Sequence, residues 1–309
     1  MIVTLASDDP VLAAFADEVG ETDPVAVAGG RTRWDVGGPL AADTRTIAAP
    51  TGIVAYQPAE MTVTVRAGTP VAELHAELAA SGQRTALPDR GGSVGGALAV
   101  GENDHRALGR GLVRTALLQV RYVSAQGRLI ASGGPTVKNV TGFDLPRLMV
   151  GSLGTLGLLA EVILRTNPIP AESRWLRADG VDPVAVHRAV LAPSAVLWDG
   201  TTTWIELEGH GPDVEVDVRT LSNLGSFEPT DGPPAFPSHR WSLAPSALPA
   251  FVSQADGPAV AAIGLGLAWA DTRQPAHKID PGVARISERL KTNFDPTGRL
   301  NPGRMPGQD

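Results

Sequence analysis

The sequence predicts an α+β chain of two domains, and three observations carry that reading. The chain has 309 residues, 43% of them apolar, which is too long for one compact core and rich enough for two. The run Asn167-Pro168-Ile169-Pro170 interrupts all periodicity and marks a boundary. Beyond it the apolar patterns read strand, helix, strand, strand, helix, strand, the order of a ferredoxin-like split βαβ domain.

The elements justify this in order. Asp9 to Val19 is expected as a helix, with Pro10 at its first position and Gly20 after its end. A short strand, Val25 to Ala28, runs into Gly29-Gly30-Arg31-Thr32. Successive N–H groups in such a turn can point at an anion, so this is a candidate phosphate cradle; a plain hairpin turn is the alternative. Gly52 to Tyr56 and Met61 to Arg66 read as strands. Thr69 is expected to cap a helix with Pro70 at its first position, Val71, Leu74 and Leu78 on its inner face and Gly82 past its end. His75 sits beside that stripe as a helix-flank histidine. From Leu87-Pro88 a glycine-rich stretch, read as loop, runs through Gly91-Gly92-Ser93-Val94-Gly95-Gly96 to Gly101, Gly109, Gly111 and Arg114. It carries few polar side chains, so its backbone is expected to approach a strand or a ligand closely. Leu117 to Ser124 and Arg128 to Ala131 form a hairpin through Gln126-Gly127. The stretch Thr136 to Thr166 then places Gly142, Gly151, Gly154 and Gly157 ahead of an apolar strand.

After the boundary, the expected elements are a strand at Ser173 to Arg177, a helix at Asp182 to Leu191, strands at Ala195 to Trp198 and Thr202 to Glu208, and a helix at Asp213 to Leu224. A proline-rich loop and a short helix precede one apolar strand, Ala259 to Trp269. A last helix, Gly282 to Asn293, is expected to bury Val283, Ile286 and Leu290, and a turn-rich tail follows from Phe294 to Gly303.

Composition excludes several function classes. Net charge is −7, the pI is near 5.4 and no basic stripe occurs, so nucleic acid is not an expected partner. Cysteine is absent, which excludes disulfides and cluster ligation by this chain. Met1 to Gly20 has no basic n-region, and no apolar run has the roughly 18 residues of a membrane span; neither a signal peptide nor a spanning helix is expected. The histidines His187, His210, His239 and His277 lack metal-ligand spacing, so no metal is expected. No G-x-G-x-x-G or G-x-x-x-x-G-K-[ST] fingerprint is present, so a nucleotide cofactor would need another fold.

Together these pieces resemble the flavin-binding oxidases of the vanillyl-alcohol-oxidase and p-cresol-methylhydroxylase (PCMH) type, over nearly the whole chain. Ala28-Gly-Gly-Arg-Thr32 is similar to the family's pyrophosphate loop, Ser93-Val-Gly-Gly96 through Gly111 to its second flavin loop, and Gly151 to Glu161 to its glycine strand. Asp295-Pro-Thr-Gly-Arg-Leu-Asn-Pro-Gly303 is similar to the closing segment that returns to the flavin domain. Lys138-Asn-Val-Thr-Gly-Phe-Asp-Leu145, Arg147-Leu148, Arg66-Ala-Gly-Thr-Pro70 and Asn301-Pro-Gly-Arg-Met305 further resemble the small FAD-binding subunits of bacterial glycolate oxidases. The resemblance implies a PCMH-type FAD-binding domain of two α+β subdomains at 1–168, a smaller ferredoxin-like α+β cap at 169–281, and a segment, 282–309, that returns to the first domain.

It also implies cofactor contacts. Gly29, Gly30, Arg31 and Thr32 would hold the pyrophosphate. Ser93, Val94, Gly95, Gly96 and Gly111 would line the ring and ribityl side, and Leu87, Pro88, Gly101 and Arg114 would also contact the cofactor. Gly154, Thr155, Leu156, Gly157 and Val162 would contact the adenine side, and Asn301 would lie near the ring. Some relatives carry a flavin-linking histidine where Arg31 stands, so the FAD is expected to be non-covalent. Thr115 stands where relatives often have Asp, and the His-x-Gly-Asp-Gly-Asn-x-His type metal motif of 2-hydroxy-acid-oxidising relatives is missing.

Three functions are open at this point. The first is an FAD-binding subunit of a glycolate oxidase, or glycolate dehydrogenase, complex that oxidises glycolate to glyoxylate. The small hydroxy acid would be oxidised on a larger FAD-binding subunit, and this chain would relay electrons towards an iron–sulfur subunit or support the assembly. The second is a stand-alone FAD oxidoreductase for another hydroxy acid or alcohol, using Lys138, Arg114 or a tyrosine not assigned to a position. The third is a non-catalytic flavin-fold scaffold. No catalytic residue is assigned, and the expected location is cytoplasmic, with at most peripheral membrane association through partners.

Overall fold

The computed structural model describes residues 3–4, 9–135, 144–275 and 279–306. Lys138 and Gly142 lie outside them. The chain divides into two compact units. One comprises Met1–Glu102, Val113–Pro168 and Ala276–Asp309, and the other Asn103–Leu112 and Ile169–Pro275.

In the first unit, six strands form a sheet in the order Val3–Thr4, Leu129–Gly133, Leu117–Val123, Leu158–Arg165, Thr62–Arg66, Ile53–Gln57. The strand Leu158–Arg165 is central and buried through most of its length, which explains why it is apolar at nearly every position. Its one acid, Glu161, is 3% exposed and lies opposite Arg66 and Arg121 on the flanking strands, at 3.5 and 3.0 Å. Two cross-strand guanidiniums thus compensate the buried carboxylate.

The helix Pro10–Val19 buries Leu12, Phe15 and Val19 and is capped by the Asp9 carboxylate, which accepts from Val11 and Leu12 N–H. The helix Val71–Ala80 buries Val71, Leu74 and Leu78, but Thr69 does not cap it. The Thr69 hydroxyl instead accepts from Gly52 N–H at 2.9 Å and points back to Gly52 O. Residues 94–100, expected as loop, form a seven-residue helix. Ser93 caps it by accepting from Gly96 N–H, and Val94 and Leu98 face the core. Its glycine content has a packing cause: a Cβ on Gly95 would stand 2.8 Å from the Ala67 Cβ and 2.9 Å from Ala67 O.

The second unit is a seven-stranded antiparallel sheet in the order Glu228–Thr230, Glu172–Asp179, Thr202–Gly209, Ala195–Trp198, Ala259–Ala262, Leu267–Ala270, His239–Ser242. Its first four strands, numbered along the chain, lie in the order 4-1-3-2 of a split βαβ unit, with the helices Pro183–Ala189 and Gly211–Ser222 as crossovers. The fourth strand is Glu228–Thr230, not the apolar stretch after the proline-rich loop. That stretch is also two strands rather than one, because Gly264 and Gly266 take left-handed φ of 86° and 71° and turn the chain. The resulting hairpin extends the sheet on the other side.

One face of this sheet packs Leu176, Ile205 and Leu207 with Val186, Val214 and Leu221 of the helices. The other carries Trp175, Trp204 and Trp269 and the buried Glu206. The segment Asn103–Leu112, read in sequence as part of the second glycine loop, belongs here. Arg106 Nε lies 2.8 Å from the Glu206 carboxylate, and a Cβ on Gly109 would stand 2.9 Å from Ser194 Cα.

The last helix, Pro281–Phe294, starts at an Asp280 cap. It does not bury Val283 and Ile286, which are 54% and 60% exposed; Leu290 and Phe294 make its contact with the first unit's core. Periodicity identified an amphipathic helix but not which turns another element covers. The last turn is fixed by Lys291, whose ammonium donates to Thr155 O at 2.9 Å and Leu300 O at 3.1 Å and pairs with the buried Asp295. Arg299 then spreads its guanidinium over the carbonyls of Asp23, Ala125 and Val19. These bonds stitch the tail to the first unit. Among the described residues, no helix is long and apolar enough to cross a membrane, and no cluster of His, Asp or Glu could hold a metal ion.

Candidate cofactor site

A cleft in the first unit is lined by two glycine loops and the tail. Gly29, Gly30, Arg31, Thr32, Arg33 and Trp34 come from the turn after the strand Val25–Val27. Pro88, Arg90, Gly92, Ser93, Gly95 and Gly96 come from the second loop and the start of its helix. Leu153, Gly154, Asn301 and Arg304 close the rim, and Val27, Ala49, Ala67, Leu158 and Leu159 give an apolar floor.

Local geometry shows why small residues stand here. A Cβ on Gly29 would meet Ser93 Oγ at 2.4 Å, and one on Gly30 would meet Gly91 O at 2.8 Å, so the first loop's backbone lies against the Ser93 side chain and the backbone of the second loop. Arg31 takes a left-handed φ of 55°. Among the described residues, none of the main-chain N–H groups from Gly29 to Arg33 has a hydrogen-bond partner. A run of free N–H groups around a left-handed residue is an anion-binding nest.

The charges agree with this. Among the described residues, four guanidiniums line the cleft (Arg31, Arg33, Arg90 and Arg304) against one carboxylate, Glu102. Glu102 pairs with Arg90 at 2.6 Å and Arg33 at 3.2 Å, linking the two loops. Burial pulls the Arg304 guanidinium below its ordinary value, and Asp35 acts in the opposite direction. A nest of N–H donors with surplus cations beside an apolar floor suits a ligand with a diphosphate and a flat apolar ring. FAD fits that donor set.

Of the expected contact residues, the structure brings Gly29, Gly30, Arg31, Thr32, Pro88, Ser93, Gly95, Gly96, Gly154 and Asn301 to the cleft. It does not bring the others to the lining. Leu87 and Val94 are core residues, 2% and 0% exposed. A Cβ on Gly101 would meet Gly151 N at 2.8 Å, and one on Gly157 the Tyr122 ring at 2.3 Å, so both serve packing. Gly111 ends the helix Ala107–Arg110 in the second unit. Arg114 lies in the short helix Val113–Ala116. Thr155 donates to Ser152 O, Leu156 is buried, and Val162 sits mid-strand in the sheet. The sequence reading missed Arg33, Trp34, Arg90, Glu102, Leu153 and Arg304. The available signal was that Arg33, Trp34 and Arg90 adjoin the glycines, which makes them part of the same turns.

Comparison with known proteins agrees with the geometry. The FAD binding domain family matches residues 1–133. The chain is 29% identical to glycolate oxidase subunit GlcE of Escherichia coli (strain K12) over 93% of this chain and 94% of that protein. By these matches residues 1–133 carry an FAD-binding domain of the PCMH type, and the chain is similar to a subunit of an FAD-binding oxidoreductase. Its cofactor is FAD. It is also 30% identical to glycolate oxidase subunit GlcD of Bacillus subtilis (strain 168), over 44% of this chain and 31% of that protein. Among solved structures, an alkyldihydroxyacetonephosphate synthase superposes with a TM-score of 0.66 at 14% identity, over 94% of this chain and 73% of that one, which shows the shared fold.

Proposed function

We propose that this chain is the small FAD-binding subunit of a glycolate-oxidising complex, and that it holds its FAD without a covalent bond. The observation that carries the reading is the length match: the similarity to GlcE spans 94% of that subunit, whereas the match to GlcD spans 31% of a longer protein. Non-covalent binding is supported by Arg31, which stands where some relatives link the flavin, and by the absence of cysteine.

Bound FAD would supply a hydride and electron acceptor. In the proposal, this chain's own residues provide the seat. The N–H groups of Gly29 to Arg33 and the guanidiniums of Arg31, Arg33 and Arg304 receive the diphosphate. Ser93, Gly95 and Gly96 let the backbone approach the ribityl and ring portions, and Gly154 and Asn301 close the rim. Among the described residues, the cleft lining holds no histidine, and its one carboxylate is engaged by two arginines. This supports placing hydroxy-acid oxidation on a larger FAD-binding partner subunit. The present chain relays electrons or supports that flavin, and an iron–sulfur subunit accepts the electrons. We place the assembly in the cytoplasm, with any membrane association made through partners.

The test is anaerobic addition of glycolate to the FAD-loaded chain alone and to the chain mixed with the two partner subunits. The proposal expects its flavin absorbance to stay unbleached alone and to bleach in the mixture. Bleaching of the isolated chain by glycolate would overturn the division of labour and make it an independent enzyme.

A further inference from the structure

The tail from Asn301 to Pro306 passes the first glycine loop. Met305 N–H donates to Gly37 O and Ala41 N–H donates to Pro302 O, both at 2.9 Å. Glycine lines this seam on both sides. A Cβ on Gly303 would stand 2.5 Å from Pro39 O, and one on Gly37 would stand 2.2 Å from Leu153 Cδ1 and 3.3 Å from Met305 O. From the seam, half-buried Arg304 donates to Val36 O at 3.0 Å and to Gly38 O. Its guanidinium also lies 4.9 Å from the Trp34 ring centre, and the Arg31 guanidinium lies 5.0 Å from the same ring. Arg31 is the left-handed residue of the nest, and all three side chains line the cleft.

We propose that Arg304 and Trp34 form a latch through which the C-terminal tail fixes the first glycine loop in its anion-binding shape and adds a cation to it. Arg304 is thus a positioning residue for the cofactor's diphosphate, though it stands at the far end of the chain from the nest. The two contributions have the same sign. Losing Arg304 frees the loop carbonyls of Val36 and Gly38 and releases one face of Trp34. It also removes a positive charge beside a dianion. Lysine retains the charge but has neither the planar fork nor the stacking surface, so it restores part of the effect. The inference rests on FAD occupying this cleft.

The experiment is equilibrium FAD binding to apo-protein, followed by flavin fluorescence quenching, with the melting temperature of each apo-variant measured alongside. Wild type, R304A, R304K, W34A and R304A/W34A are compared. The latch predicts that R304A raises Kd roughly tenfold or more and that R304K falls between R304A and wild type. It also predicts that the double variant binds no worse than the weaker single variant, because both changes break one unit. The apo-protein melting temperature should move little, since the seam's main-chain bonds remain. An unchanged Kd in R304A, or fully additive effects in the double variant, would overturn the latch. Should R304A not fold, R304K and W34A decide: weaker FAD binding by both supports the latch, and wild-type binding by both overturns it. Failure of the wild type to bind FAD is a separate result, and it would overturn the cofactor site together with the latch.

Discussion

The cleft of the first unit and the tryptophan face of the second unit's sheet are built in opposite ways. The cleft is made of main chain: free N–H groups from Gly29 to Arg33, glycines whose added Cβ would collide, and few side chains that bond one another. The tryptophan face is made of side chains: Trp175, Trp204 and Trp269 share it with Glu206, which accepts from Arg106 and Ser173. The difference teaches what each region tolerates. A backbone-made seat fails when a small atom is added. A side-chain-made face fails when a charge loses its partner.

The largest expected effect breaks the second region. Glu206→Ala leaves Arg106 beside the apolar face with no carboxylate, and Glu206 is only 1% exposed. Removing the buried member of the pair costs about 3 kcal/mol, the low end of the range for buried pairs, because Arg106 keeps 28% of its side chain exposed. Urea denaturation should show the loss while FAD content per folded protein stays at the wild-type level; a loss under about 1 kcal/mol would place the pair with weak surface bridges.

Gly30→Val tests the first region in the reverse sense. Its Cβ would stand 2.8 Å from Gly91 O, so the two loops must part. FAD affinity should fall roughly 100-fold, about 2.7 kcal/mol, with urea stability near wild type. Wild-type FAD affinity would show that the loops do not form the seat.

A smaller effect sharpens the contrast inside the first unit, where backbone meets side chain at Gly157 and Tyr122. Burial pushes the Tyr122 phenol up to about 12 from an ordinary 10.0. The fold therefore favours the neutral phenol. That stabilisation is complete below pH 10 and is lost as pH rises towards 12. The loss should reach roughly 2 kcal/mol by pH 12, seen in wild type and missing in Tyr122→Phe when the two are denatured across that range.

The glycine loops were legible because a backbone-made seat writes itself into sequence as glycine. Gly29, Gly30, Gly95 and Gly96 stand at the cleft where the resemblance expects them. Arg31 was legible with its glycines, whereas the partnerships of the other cleft charges were not, since Arg33 meets Glu102, and Trp34 meets Arg304, only after the chain folds. The tryptophan face was hidden for the same reason. Segment 103–112 leaves a glycine-rich run to join the other unit, and nothing local in Gly109 or Gly111 marks that exit. Gly264 and Gly266 split an apolar run that composition alone reads as continuous. The final helix shows the limit of periodicity: Val283, Ile286 and Leu290 share a face, but only Leu290 is packed. The smallest expected effect lies here. Ile286→Ser should change stability by less than about 0.5 kcal/mol and leave FAD affinity unchanged; a large loss in urea denaturation would mean that this face is covered.

The central claim is that the first unit's cleft holds FAD, and holds it without a covalent bond. It is tested most directly by the absorbance spectrum of the protein purified alone and reconstituted with FAD, followed by acid precipitation. The expected result is flavin bands at one FAD per chain, all of the flavin in the acid supernatant, and loss of those bands in Gly30→Val. A protein that stays colourless with excess FAD, or flavin that remains in the acid pellet, would contradict it.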